Sequence, residues 1–131
     1  MLSLFVTALL AVSTFAAPND AQRRDVGEAE VPAGWAAVSC FTDQGGERTL
    51  NAVSASSPDL MTLAVCTSFC SHNFGAFTYA GVEFGKECWC DNTINPPGTP
   101  ADSGCDMECS GDVTQSCGGP NRVFIAQRNA A

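Results

Sequence analysis

Positive charge is scarce in this sequence. Lysine and arginine together number 6, against 14 aspartates and glutamates, for a formal net charge of −8. From residue 35 onward only Arg48, Lys86, Arg122 and Arg128 are basic, against ten acidic side chains, which leaves −6. With no basic patch, nucleic acid and anionic membrane are poor partners. Histidine is nearly absent too. His72 is the only one, no Ser/His/Asp constellation forms around it, and no Gly-rich phosphate loop is visible. No Asn-x-Ser/Thr sequon occurs, so N-glycosylation is not expected. Beyond the first seventeen residues no long apolar run follows, and the chain ends in polar QRNAA. Neither a membrane anchor nor a GPI tail is expected.

What the chain does have begins with residues 1–17, MLSLFVTALLAVSTFAA, uncharged and apolar. This reads as a secretory signal peptide, and it is shorter than the about 20 apolar residues a membrane span needs. Thr14 and Ala16 are small residues placed for a cut after Ala16, so residues 1–16 are assigned to the signal. Residues 17–34 are polar and charged and read as a linker or pro-segment. Within them Arg23-Arg24 reads either as a dibasic processing site or as two solvated arginines. A single small domain is expected over residues 35–127, followed by a short tail, 128–131.

Eight cysteines dominate that domain. A secreted, even-numbered set reads as a disulfide framework. Cys66 and Cys70 are four apart, which puts both on one face of a helix. Cys88 and Cys90 are two apart, which puts both on one face of a strand. The pattern therefore predicts a helix stapled twice to a strand. Geometry alone leaves the crossed pairings open, and eight cysteines allow on the order of a hundred connectivities. The rival use of these thiols, a zinc site, usually wants paired C-x-x-C knuckles. Here the spacings are C-x-C and C-x-x-x-C with one histidine, so no metal and no cofactor is expected. Each bridge is worth about 2–4 kcal/mol, and four together are comparable with the whole net stability of a small domain, roughly 5–15 kcal/mol.

The remaining elements follow from local signals. Residues 35–41 read as a first strand, 43–46 as a turn, and 51–59 as loop. Thr62 is placed to cap a helix from Leu63 to His72, with Leu63, Cys66, Phe69 and Cys70 inward and Gly75 just beyond its end. His72 at that end reads as a helix C-terminal cap. Residues 77–82 and 86–90 read as two strands around Phe84-Gly85. The run 95–100 (NPPGTP) is irregular and unsuited to a central strand. Residues 105–119 read as a cysteine-held loop, and 122–127 as the closing strand. Asp102, Asp106, Glu108 and Asp112 read as a solvated acidic loop, since no EF-hand pattern appears.

These residues carry a resemblance. Thr78 to Cys90 (TYAGVEFGKECWC), Cys105-x-x-x-Cys109-Ser-Gly, Cys117-Gly-Gly with Asn121-Arg122, and the opening Gly34-Trp35 with Cys40-Phe41-Thr42-Asp43 resemble the WSC domain pattern over about residues 35–127. The resemblance implies an α+β fold of the PAN/apple type, a small disulfide-rich antiparallel sheet cradling one helix. It implies the pairs Cys40–Cys105, Cys66–Cys88, Cys70–Cys90 and Cys109–Cys117. It also implies a secreted, non-catalytic module that binds cell-wall polysaccharide of the β-glucan, xylan or chitin class. The fungal sensor members of the family carry a Ser/Thr-rich stalk, a transmembrane helix and a cytoplasmic tail that this sequence lacks.

Where a glycan would bind is argued from the hairpin. If the turn is Phe84-Gly85, Glu83 opposes Lys86, Ala80 opposes Trp89, and Tyr79 opposes Cys90. Tyr79 then packs with the cysteines, and Trp89 points to the other face as a platform for a sugar ring. Phe84 at the turn adds a second contact, while Asp91, Asn92 and Asn121 offer hydrogen bonds. The alternative buries Trp89 under residues 94–100, and a bulge at the turn would reverse the face assignment. Glu83 and Glu87 read as solvated hairpin charges rather than a hydrolytic pair. Three functions compete: a glycan-binding module, a protein-interaction module such as an effector or wall component, and an unusual enzyme. The first is preferred, with the chain expected as a monomer.

Overall fold

The computed structural model describes residues 27–73 and 75–130. The signal segment 1–16 and the Arg23-Arg24 pair lie outside the described residues. Among the described residues seven strands and one helix succeed one another. They are β1 (Trp35–Thr42), β2 (Val53–Ser56), α1 (Leu63–His72), β3 (Tyr79–Glu83), β4 (Glu87–Asp91), β5 (Glu108–Cys109), β6 (Asp112–Ser116) and β7 (Arg122–Arg128). Five strands form one antiparallel sheet in the order β1-β7-β3-β4-β2, and β5 and β6 form a separate hairpin. This is a small disulfide-rich α+β domain, as expected.

The helix begins where Thr62 turns extended, at φ −141°, and its hydroxyl accepts the Val65 N–H at 3.1 Å. It stops at Asn73, whose backbone and side-chain amides both donate to the Phe69 carbonyl, at 3.2 and 2.8 Å. Nδ1 of His72 lies 2.7 Å from the Ser68 carbonyl, the terminal role expected of it. The helix buries Leu63, Cys66, Thr67 and Cys70 against the sheet. There Cys66 bonds Cys88 and Cys70 bonds Cys90, while Cys40–Cys105 and Cys109–Cys117 complete the four pairs. All four are those the resemblance implied. Cys66, Cys70 and Cys88 cluster as closely as metal ligands would, but each is oxidised and offers no thiolate.

The sheet has two apolar faces, because its central strands alternate in register. Ala80, Val82, Cys88, Cys90 and Ala126 meet the helix with Met61 and Phe77. On the reverse face Val123 and Ile125 pack with Phe41 and Leu50, with Tyr79, Trp89 and Ile94 at the margin. Two loops cover that reverse face and are knitted to each other. Thr49, fully buried, donates its hydroxyl to the Thr42 carbonyl at 2.7 Å. Its own carbonyl accepts the Asn95 N–H at 2.8 Å.

Four readings of the sequence need correction. The β3–β4 loop holds three residues, Phe84, Gly85 and Lys86, so Glu83 pairs with Glu87, Gly81 with Trp89 and Tyr79 with Asp91. The one-residue shift turns every β3 side chain over, and Tyr79 joins the reverse face rather than the cysteines. The stretch 51–59 contains strand β2, which hydrogen-bonds along the outer edge of β4. The stretch 105–119 contains the β5–β6 hairpin rather than loop alone. Finally, the described part of the segment before Trp35 lies against the domain. Ala29 is in the core at 7% exposure, and the Gly27 N–H donates to the Thr114 carbonyl at 2.9 Å.

Candidate functional site

Trp89 stands on the reverse face at the margin of its apolar cluster, half-buried, because the strand period turns it away from Cys88 and Cys90. Its β3 partner is Gly81, whose missing side chain leaves space for the core beneath. A Cβ there would come within 2.6 Å of Val123 Cγ2 and 2.9 Å of Leu50 Cδ1. The indole N–H donates to Glu87 Oε1 at 3.2 Å. Over the ring lies the guanidinium of Arg48, 4.5 Å from its centroid, a cation–π contact. Ile94, from the irregular segment, packs into the same cluster but leaves Trp89 partly open.

Arg48 is held from below. Its Nη1 donates to Asp43 Oδ2 at 2.7 Å and to Glu83 Oε1 at 3.3 Å. Asp43 and Glu83 are 2% and 3% exposed, so these are buried carboxyls, and Glu83 is no solvated hairpin charge. The register explains it: Glu83 follows Tyr79 and Gly81 onto the reverse face. Burial, then its hydrogen bond with Asp43, pushes the Glu83 carboxyl up to about 9. Burial alone would raise Asp43 as well. Hydrogen bonds from Glu83, the Thr49 N–H and Arg48 outweigh it and hold Asp43 below the usual aspartate range. The two acids thus share one proton beneath one guanidinium.

Two shallow depressions flank the Arg48–Trp89 stack. One, of about 430 Å³, is lined by Gly46, Glu47, Arg48, Asn51, Asn95 and Pro96. The other, of about 310 Å³, is lined by Ser54, Ala55, Ser56, Glu87 and Trp89. Since Arg48 lines one, Trp89 lines the other, and the two side chains touch, the stack is their common wall. A third hollow of about 430 Å³ lies beside the Cys40–Cys105 bridge, among Val38, Asp102, Asp106 and Phe124. It has no stacked aromatic.

The other expected binding residues do not gather around Trp89. Asp91 shares its strand face, but the carboxylate is consumed internally. It accepts from Asn51 N, Asn92 N, Thr93 N and Asn95 Nδ2, at 2.7–3.2 Å, and brackets the two loops to β4. Asn92, at the far end of the hairpin from the turn, accepts the Thr78 N–H and hydroxyl at 3.0 and 3.3 Å. Phe84 is 43% exposed at the hairpin tip, with the Lys86 ammonium 5.9 Å from its ring. Asn121 sits at φ +54° in the turn before β7, and its carbonyl accepts the Asp43 N–H at 3.0 Å. Sequence reasoning missed Arg48, Asn51, Asn95, Ser54 and Ser56. Arg48 had one visible signal, as the lone cation between residue 35 and Lys86. Asp112, in the acidic stretch, accepts from Thr114 and Gln115 in its own turn.

A sheet stapled to one helix by two of four disulfides, presenting a half-open tryptophan between polar hollows, defines a small disulfide-rich α+β domain. The WSC domain family model matches residues 37–119, and the chain belongs to that family. It is 42% identical over 101 residues to a WSC domain-containing protein of Arthroderma benhamiae, across 73% of this chain and 11% of that protein. It is 37% identical over 92 residues to Kremen protein 1 of Homo sapiens, across 67% of this chain and 18% of that protein. The chain therefore spans less than a fifth of the length of these two relatives. WSC domains are often carbohydrate-binding or interaction modules, generally without catalysis of their own, in proteins that are often extracellular or surface-exposed. Among the described residues no helix is long and apolar enough to cross a membrane.

Proposed function

We propose that this chain is a secreted, non-catalytic module that binds cell-wall polysaccharide of the β-glucan, xylan or chitin class. The supporting observation is the half-open indole of Trp89, fixed by Arg48 at 4.5 Å and by Glu87 at 3.2 Å. Serine hydroxyls lie on one side of it and asparagine amides on the other. A pre-oriented aromatic beside a few polar groups suits the mixed apolar and hydroxylated surface of a sugar ring. Arg48, Asn51, Ser54 and Ser56 take the hydrogen-bonding role expected of Asp91 and Asn92, while the Asn95 amide nitrogen is held within the loops by Thr49 and Asp91. Turnover is not part of the reading, because Glu83 lies buried beneath Arg48, out of reach of a dissolved polymer. The test is retention on insoluble β-glucan, xylan and chitin. Trp89→Ala is expected to lower retention about tenfold or more, the loss of one stacked ring, about 1–3 kcal/mol on the scale measured for other aromatic platforms, with the circular dichroism spectrum unchanged. Equal retention of the variant and the parent would remove Trp89 from the site.

One observation favours a second reading, docking on a protein. Leu60, Val65, Phe84 and Val113 are 69%, 43%, 43% and 43% exposed. That reading expects no polysaccharide retention, and loss of a discrete partner on Leu60→Ser with Phe84→Ser.

A further inference from the structure

Each depression beside the Arg48–Trp89 stack holds a carboxylate that makes no ion pair among the described residues: Glu47 in one and Glu87 in the other. The guanidinium between them is committed inward. Its contacts to Asp43 and Glu83, at 2.7 and 3.3 Å, are the only close contacts of a basic side chain with a carboxyl among the described residues. Asp43, the nearer partner at 2.7 Å and only 2% exposed, offsets the charge of the guanidinium. Glu87 accepts a hydrogen bond from the indole N–H, a neutral donor, and the Arg48 guanidinium attracts it without a direct ion pair. The adjacent cation, Lys86, points at the hairpin tip, 5.9 Å from the Phe84 ring. A polymer lying across the stack would thus meet carboxylates on both sides of the aromatic platform.

Resting on the glycan-binding reading above, we propose that this surface selects its polymer by charge. It takes amino-sugar chains, glucosamine-rich segments above all, whose ammonium groups meet Glu47 and Glu87 on either side of Trp89, and it rejects uronic-acid chains. Like charges across a contact suppress wrong partners, while exposed opposite charges add modest affinity each. The acetyl group is then the discriminating feature, because it removes the ammonium charge while keeping the same pyranose backbone for stacking.

The experiment compares three hexasaccharides by titration calorimetry on the folded, disulfide-intact chain. They are β-1,4-linked glucosamine, its fully N-acetylated counterpart, and α-1,4-linked galacturonate. Measurements are made at about pH 5, low enough to protonate an amine acidified by neighbouring sugar oxygens and still above the ordinary glutamate value. The glucosamine hexamer is expected to bind about three- to tenfold tighter than the acetylated one, the range for two exposed ion pairs. Galacturonate is expected not to bind. In the Glu47→Gln/Glu87→Gln variant the preference, read as the ratio of the two affinities within that variant, is expected to vanish, and added salt is expected to shrink it in the parent. Equal binding of the two hexamers by the parent overturns charge selection and leaves the glycan reading standing, as does a preference that survives in the double variant. Failure of the parent to bind any of the three overturns charge selection; the glycan reading falls with it only if the parent is also not retained on insoluble β-glucan, xylan and chitin.

Discussion

A buried carboxyl that keeps its proton is the residue whose environment says most about this domain. Glu83 and Asp43 lie side by side under Arg48, and their titrations pull stability in opposite directions. The folded Glu83 titrates at about 9, against 4.5 for a free glutamate. Its stabilising contribution is therefore complete below the free value and is lost as pH rises toward the folded one. Asp43 is depressed in the folded state, so its contribution is present above the ordinary aspartate range and is lost on acidification. Thermal midpoints should accordingly be highest on the mildly acidic side and fall steadily between about pH 5 and pH 9. Glu83→Gln copies the shape and the donor of the protonated acid. Melting curves of that variant should lose the alkaline decline while keeping the acid limb, and a parental decline persisting in Glu83→Gln would place its cause elsewhere.

At the level of elements, the cysteine spacings made the staple legible, because periods of four and two are local properties of helix and strand. The cap at Thr62 and the side of β4 that carries Trp89 were legible for the same reason. The face of β3 was not, since it depends on whether the turn holds two or three residues. Both Phe84 and Gly85 take positive φ, at 53° and 74°, as a two-residue turn would, yet the loop includes Lys86. That single residue hid the burial of Glu83, and with it the support for Arg48. Strand β7 was visible as a strand, but its place between β1 and β3 is a long-range pairing that no local pattern encodes. Gly81 shows how tightly the resulting face is built. Its added methyl would press on Val123 and Leu50, each 1% exposed and without room to retreat. Gly81→Ala should therefore cost about 1–3 kcal/mol in urea unfolding, as overpacking does. Gly45→Ala, in open space, should stay within about 0.5 kcal/mol of the parent. A Gly81→Ala midpoint equal to that of Gly45→Ala would show that the reverse face yields.

Across the whole molecule the four bridges differ in what surrounds them. Cys66, Cys70, Cys88, Cys90, Cys109 and Cys117 are 0–1% exposed, shielded by the helix, the sheet and the β5–β6 hairpin. Cys40 and Cys105 are only partly buried, and their bridge forms one wall of the hollow lined by Val38 and Phe124. Exchange requires a thiolate to reach a sulfur in line, so access orders the reactions. The interior bridges open only when the domain itself opens, whereas Cys40–Cys105 can be attacked in the folded state. Its loss should not unfold the sheet, because β1 stays paired to β7 from Trp35 to Thr42. The bridge joins residues 65 apart in sequence, so its removal should still lower stability by several kcal/mol, of the order of 4 kcal/mol for a loop of this length. Brief treatment with a dithiol under native conditions, followed by alkylation and peptide mass mapping, should label Cys40 and Cys105 first, with the far-ultraviolet spectrum retained. Simultaneous labelling of all eight cysteines would mean that the folded state protects no bridge more than another, and that the stapled core opens as readily as its rim.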